Sequence, residues 1–430
     1  MKNIGQKLGL IIRDKGLMKR ILFVAGALIV FRLLSFIPIP GIDALKLEQF
    51  FSNNEFLGLL NLFSGGGLSN LSIVMLGVGP YITSSIIMQL LTMMFPKLKA
   101  LYHDEGEAGR MKFTQYSRIL TIPLALIQAF GFLILLEKQQ ILPQLDVFGL
   151  ITNVVVIAGG SMLLTWIGEL MSEYGIGNGV SLLIFAGIVA RLPGDIGQAL
   201  FNFDASQIPF YLTFLVIAII VVYAVVVITE AERPVPVTYA KRIRGMKMYG
   251  GISTYLPLRI NQAGVIPIIF ALSILLFPQM ILQFMQNVQN GVAQAISKHG
   301  LALLSNEWFY GIAYFVLVFL FTYFYTAVTF DPHAISTNLQ KNGAFIPGVR
   351  PGESTSQYLA KVLTRITLVG ALFLGAIAVL PLIVKGIISA TAVGISGSAV
   401  AIGGTALLIV VSVVIDLIKK IDAQVSMREY

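Results

Sequence analysis

Ten apolar stretches recur along the chain, at about residues 21–39, 71–95, 119–136, 151–171, 180–192, 208–228, 263–281, 308–330, 366–384 and 399–418. Polar or charged segments separate them. Most approach or exceed the ~20 residues that a helix needs to span a bilayer. Val180–Leu192 is shorter, and is expected to cross with little tilt or where the barrier is thin. One stretch has a second pattern laid over the first. Residues 72–91 carry Gly77, Gly79, Pro80, Tyr81, Thr83, Ser84, Ser85 and Gln89 among their aliphatic side chains. On a helix at about 100° per residue, Gly77, Tyr81, Ser84, Ser85 and Gln89 fall within an arc of roughly 140°. Polar groups at membrane depth point at protein or at a water-filled cavity. This span is therefore expected to line something.

Residues 40–70 break the pattern. They hold Phe50-Phe51, an apolar run at 56–62 and Ser64-Gly65-Gly66-Gly67. The apolar piece is too short to span, and the glycines permit turns that a helix resists. Two readings stay open, a re-entrant or hinged segment and an interfacial amphipathic loop.

Composition places the whole chain in the membrane. Of its 430 residues, 56% are hydrophobic and 12% are charged, against the about 25% charged of soluble domains. The sequence has a basic N-terminal flank, but the apolar run Ile21–Ile39 is too long for a signal core and no small-residue cleavage site follows it. It is read as a retained first span. An even number of spans puts both termini on one side. The segments 1–20, 96–118, 230–260, 331–365 and 416–430 hold 24 of the 30 Lys and Arg residues. That asymmetry predicts cytoplasmic termini by the positive-inside rule. Ten spans divide as five plus five, with a break near Pro193–Pro209. An odd number in each half makes the halves inverted if they are repeats, and inverted halves put a pathway at their interface.

Chemistry of the usual kinds finds little footing. The chain has no cysteine, which removes disulfides, thiolate nucleophiles and Cys-ligated metals. His103, His299 and His333 are far apart in sequence, and no phosphate-loop, zinc-protease or nucleophile-elbow pattern occurs. Gly175-Ile-Gly177-Asn-Gly179 resembles a phosphate loop only in its glycine count. No cofactor and no catalytic residue are expected.

Two long polar loops stand out instead. Residues 229–262 carry Lys241, Arg242, Arg244 and Lys247, interleaved with Tyr239, Met246, Met248 and Tyr249. Alternation at Val235, Val237 and Tyr239, followed by Gly250-Gly251, predicts an extended hairpin. Pro234 and Pro236 restrict one strand to an edge role. A basic tip attracts acidic lipid, RNA or an acidic protein face; topology alone also accounts for charge on this side. In 331–365, Arg350 lies between Gly348 and Gly352, beside Pro347 and Pro351, and is the one charge between Lys341 and Glu353. A guanidinium on a stiff turn is a recognition candidate.

Five segments resemble the SecY family of protein-conducting channels: 72–91 (with LGVGPYITSSIIMQLL), 174–188 (YGIGNGVSLLIFAGI), 239–269 (YAKR, then STYLPLRINQAGVIPII), 345–352 (FIPGVRPG) and 403–411 (GGTALLIVV). The resemblance runs over essentially the whole chain. It implies an all-α polytopic membrane protein with ten transmembrane helices. These form two inverted five-helix halves, residues 1–192 and 193–430, closed as a clamshell around a central pore with a re-entrant plug. It also implies roles by position. Ile82, Ile86, Ile184, Ile188, Ile269 and Ile409 would form an apolar pore ring. Ser84, Ser85, Gln89 and Asn261 would line a lateral gate between the second and seventh spans. Phe56, Leu57, Leu60, Phe63, Gly65, Gly66 and Gly67 would belong to the plug. Lys241, Arg242, Arg244, Lys247 and Arg350 would dock the SecA ATPase or the ribosome; Pro234 and Met246 depart from relatives that carry further basic residues there. The implied partners are the SecE and SecG subunits, SecA, the ribosome, signal peptides with their unfolded polypeptides, and membrane lipids. The implied place is the bacterial cytoplasmic membrane. A secondary transporter of a small solute is the competing reading. It requires ionisable residues at mid-membrane, where the sequence offers Arg32 inside the first stretch and Glu169 near the end of the fourth.

Overall fold

The computed structural model describes residues 14–39, 67–68, 70–103, 105–138, 142–143, 145–201, 208–239, 242–244, 247–249, 253–285, 291–304, 306–390 and 403–426. Each of the ten apolar stretches coincides with a helix. In chain order these are α1 (Lys15–Leu34), α2 (Gly79–Met94), α4 (Gly106–Lys138), α5 (Val147–Tyr174), α6 (Gly179–Phe201), α7 (Ile208–Glu230), α8 (Ile266–Met285), α10 (Glu307–Thr329), α12 (Glu353–Ala390) and α13 (Gly403–Ser426). Shorter helices α3 (Pro96–His103), α9 (Gly291–Leu304) and α11 (Pro332–Lys341) lie between them. Among the described residues, Gly106–Ile134, Val147–Tyr174, Trp308–Lys341 and Glu353–Leu380 are long and apolar enough to cross a membrane by length and composition. Gly179–Gly194, Leu215–Glu230 and Ile266–Leu275 are shorter apolar helices.

Two helix starts and one helix end differ from the sequence pattern. The second stretch is helical only from Gly79, because Gly77 takes a left-handed φ of 56° and Pro80 occupies the first turn, where its missing N–H costs nothing. Residues 71–78 are turns, and Gly77 therefore lies off the helical stripe. Gly264, with φ 61°, likewise delays the seventh helix to Ile266 and leaves Asn261 in the turn before it. In contrast, α6 runs through Pro193 to Phe201 and is 23 residues long, so the helix of the fifth stretch is not short. A proline is tolerated inside a membrane helix where neighbouring groups take up the freed carbonyl.

The exposed surface of the helices is apolar. On α7 alone Leu212, Leu215, Val216, Ile219, Ile220 and Tyr223 face outward. Water would not tolerate a surface of this kind and size, and hydrocarbon suits it. The protein is a membrane protein. Inside, one large cluster joins α1, α2, α5, α6, α7, α8, α10, α12 and α13. A second cluster packs Leu68, Leu71 and Met75 against Phe132, Leu133 and Leu136 of α4 and Ile157 of α5. Here α5 and the turns before α2 approach so closely that a Cβ on Gly160 would stand 2.0 Å from the Ile73 carbonyl oxygen. The Ser161 hydroxyl donates to the Gly77 carbonyl at 2.9 Å across the same contact.

The predicted hairpin is present. Strands β1 (Glu232–Tyr239) and β4 (Ser253–Arg259) pair antiparallel from Glu232↔Arg259 to Thr238↔Ser253. Beyond them β2 (Arg242–Arg244) pairs with β3 (Lys247–Tyr249), Arg242 opposite Tyr249. A short strand β5 (Ala344–Phe345) adds to the far end of β1, opposite Thr238 and Tyr239. Strand β1 is central there, but Pro234 and Pro236 have a partner on one side alone. The prolines fit because the lost donors fall where the sheet has an edge. Val235, Val237 and Leu258 turn inward and pack on Leu359, Val362, Leu363 and Ile366 of α12. The first turns of α12 thus carry the sheet before the helix enters its apolar stretch.

Candidate functional site

The six isoleucines come from four helices: Ile82 and Ile86 from α2, Ile184 and Ile188 from α6, Ile269 from α8 and Ile409 from α13. All are buried, with 2–6% of their surface exposed, and all belong to the one large cluster. The helices touch in cross-chain pairs, α2 with α8 and α6 with α13. α4 also touches α8, and the isoleucines lie on α2, α6, α8 and α13. Leu183, Ile268 and Leu408 are as deeply buried in the same cluster. Burial brings the six together without setting them apart from their neighbours.

The polar stripe of α2 serves two surfaces. Ser84 is fully buried and its hydroxyl donates to the Ser117 carbonyl of α4 at 2.5 Å. Ser117 and Thr121 in turn donate to Phe113 and Ser117 carbonyls along α4. Ser84 therefore ties α2 to α4, not across to α8. Gln89 donates to the Ser85 hydroxyl one turn earlier at 3.2 Å. The side-chain oxygen Oε1 of Gln89 is buried and receives no hydrogen bond. Asn261 is buried in its turn, 6% exposed, and neither its amide nitrogen nor its oxygen has a partner. Its backbone sits against Gly370 of α12, where an added Cβ would lie 2.7 Å from the Ile260 carbonyl oxygen. Among the described residues no hydrogen bond joins Ser84, Ser85 or Gln89 to Asn261. Gln89 on α2 and Asn261 before α8 instead keep buried amide atoms with unused bonding capacity. Leaving such a group unsatisfied costs about 1–3 kcal/mol, which water or an incoming polar group would recover.

Sequence reasoning passed over three groups nearby. Ser117 was one, since a lone serine at the edge of an apolar stretch carries no signal of its partner. Ser412 of α13, buried with an unpaired hydroxyl, was another. The third is the ion pair of Arg118 on α4 with Glu169 on α5, in which Arg118 Nε donates to Glu169 Oε1 at 3.2 Å and a second nitrogen contacts the other oxygen. This pairing occupies Glu169, one of the two ionisable groups that a small-solute transporter would have needed.

Of the plug residues, Phe56, Leu57, Leu60, Phe63, Gly65 and Gly66 lie outside the described residues. Gly67 is buried, and its carbonyl accepts from the Ser72 N–H at 2.8 Å. The isolated bridge Pro38↔Ser72 and the bond from Ile39 N–H to the Leu71 carbonyl at 2.9 Å hold the two ends of segment 40–66 side by side.

Of the basic docking residues, Lys241 lies outside the described residues, and Arg242, Arg244 and Lys247 are in the paired strands of the hairpin tip. Arg350 is exposed on a braced turn. Gly348 and Gly352 take φ 82° and 95°, conformations that a Cβ would oppose. Thr355 Oγ1 donates to the Arg350 carbonyl at 2.8 Å, and Ser336 Oγ of α11 donates to the Gly352 carbonyl at 2.5 Å. The turn fixes the backbone on both sides of the guanidinium and leaves the side chain in solvent.

Comparison with known proteins follows the same outline. A family profile described as SecY matches residues 72–418. The protein translocase subunit SecY of Mycobacterium leprae (strain TN) is 41% identical over 438 residues, covering 97% of each chain. A solved structure described as a protein-conducting channel superimposes with a TM-score of 0.62 at 19% identity, covering 94% of this chain and 91% of that one. Sec61 in the canine ribosome–channel complex from the endoplasmic reticulum gives a TM-score of 0.59 at 18% identity, with the same coverage.

Proposed function

The chain belongs to the SecY family, and from that premise we propose that it is the channel through which unfolded polypeptides cross a membrane. The supporting observation is the convergence of α2, α6, α8 and α13 on one buried cluster through Ile82, Ile86, Ile184, Ile188, Ile269 and Ile409. Branched apolar side chains offer water and ions no hydrogen bond, so a constriction built from them dewets when empty. The same side chains deform around a chain in transit. The likeness to solved channels extends over nearly the whole fold and supports ten spans in two inverted halves, residues 1–192 and 193–430. The basic segments then face the cytoplasm together with both termini.

In this reading α2 and α8 form a lateral gate. Gln89 Oε1 and both polar atoms of the Asn261 amide are unpaired, and an apolar segment enters lipid when the two helices separate. Hydrogen bonds between membrane helices contribute only about 0.6–1.7 kcal/mol each, and none is available here from the four gate residues to resist opening. Segment 55–70 is the plug. The hairpin tip and Arg350 receive the SecA motor or the ribosome, which is what the canine relative is described with. SecE and SecG cover part of the outward apolar surface. The chain performs no covalent chemistry, and the driving free energy comes from ATP hydrolysis, the membrane potential or translation.

The test is conductance. With Ile86 and Ile188 both changed to serine, the idle channel in a planar bilayer should pass ions at least several-fold faster than the unaltered protein. An unchanged leak would contradict the ring.

A further inference from the structure

Where the sheet meets α12, Arg233, Tyr358, Lys361, Val362 and Arg365 line a cavity of about 250 Å³. Three of its five walls are cations. The two carboxylates closest to Arg233 in sequence are otherwise engaged. Glu232 receives Arg259 at 3.3 Å, and Glu230 receives Lys419 at 3.0 Å. Among the described residues, Arg233, Lys361 and Arg365 have no acidic partner. The Tyr358 hydroxyl adds a donor, and Val362, 8% exposed, forms an apolar wall. A cavity with this lining binds a compact dianion or monoanion with several acceptor oxygens, and a phosphate ester fits that chemistry.

Its height along the helix identifies the source of the phosphate. On α12 the side chains of Tyr358, Lys361, Arg365, Leu368 and Leu372 fall within an arc of about 80° at 100° per residue. Leu368, Val369 and Leu372 are 44%, 48% and 47% exposed on a helix apolar enough to span. The outward stripe therefore changes from cationic to apolar between Arg365 and Leu368. Arg365 stands about 4.5 Å, and Lys361 about 10 Å, beyond the first of those leucines. The headgroup layer on each side of the hydrocarbon is about 5–7 Å deep, so Arg365 stands within it and Lys361 just beyond it, within reach of its long side chain. Arg233 sits at the matching level on the other wall, three residues past the end of the apolar helix α7. A free phosphate would satisfy the cations but leave the adjoining leucine strip unexplained. A phospholipid satisfies both, with its phosphate in the cavity and an acyl chain along Leu368 and Leu372.

We propose that Arg233, Tyr358, Lys361 and Arg365 form a binding site for the phosphate of an anionic membrane lipid. The site would anchor the sheet that carries the basic hairpin to the membrane surface. The inference rests on the membrane placement of α12 and not on polypeptide conduction, so either can fail without the other. The experiment is native mass spectrometry of the detergent-purified complex titrated with dioleoylphosphatidylglycerol or dioleoylphosphatidylcholine. The K361Q/R365Q variant should retain the anionic lipid roughly thirtyfold more weakly, at about tenfold or less per cation removed. Retention of phosphatidylcholine should not change. Charge removal at Lys341, an exposed position on α11, is the control and should have no effect. Millimolar inorganic phosphate should not displace the lipid, whereas complete displacement would assign the site to free phosphate and overturn the lipid reading. Equal retention by K361Q/R365Q and the unaltered protein would overturn the site itself. Unchanged lipid retention with weakened ribosome or motor binding would reassign the cavity to a macromolecular contact.

Discussion

At the scale of single residues, Ser84 shows how one side chain can change the meaning of a motif. The stripe on α2 reads as a lining, and Ser84 is its most deeply buried member. Its hydroxyl nonetheless closes on the Ser117 carbonyl of α4, which makes it a brace between α2 and α4. Ser84→Ala should therefore lower the stability of the purified protein by about 0.6–1.7 kcal/mol, seen as an earlier unfolding midpoint. Translocation of substrates with defective signal sequences should stay as poor as before. Better handling of such substrates without loss of stability would return Ser84 to the gate. Gln89 Oε1 and the Asn261 amide are the opposite case, buried polar atoms without a partner. The stripe was legible as a pattern of residue types. Which member bonds where was not, because that depends on the rotation of α2 and on a serine in another helix.

At the scale of elements, the hydrophobic period located every apolar helix, and backbone conformation moved the boundaries. Positive φ at Gly77 and Gly264 delays α2 and α8, while Pro193 fails to end α6. A period count sees side-chain polarity and is blind to both effects. The hairpin of 232–259 was legible because alternation and the glycine pair agree. Its pairing with β5 was not, since that contact joins residues about a hundred positions apart. Two expectations belong to this scale. Cysteines placed near Ser85 and near Asn261, scanned over neighbouring positions, should include a pair that crosslinks α2 to α8 and blocks lateral release; failure of every pair would remove the gate from these helices. The turn bearing Arg350 is braced by Thr355 and Ser336, so Arg350→Glu should leave the fold intact. Motor-driven translocation should fall by at least tenfold, and normal translocation by the purified variant would end its docking role.

At the scale of the whole molecule, the outward surface is apolar and the deepest shared cluster lies where helices from both ends of the chain meet. The first property follows from composition alone. The second needs the fold, because no periodicity states which spans touch. Identity of 41% over 97% of the chain to a translocase subunit joins the two into one account, a closed channel that opens for a polypeptide. Reconstitution tests that account most directly. The purified complex is placed in vesicles with the SecA motor, ATP and an unfolded secretory polypeptide, and protease-protected substrate is measured. The account predicts protected polypeptide that depends on this chain, on ATP and on a signal sequence. Vesicles that protect no polypeptide yet accumulate a small solute through the same chain would contradict it.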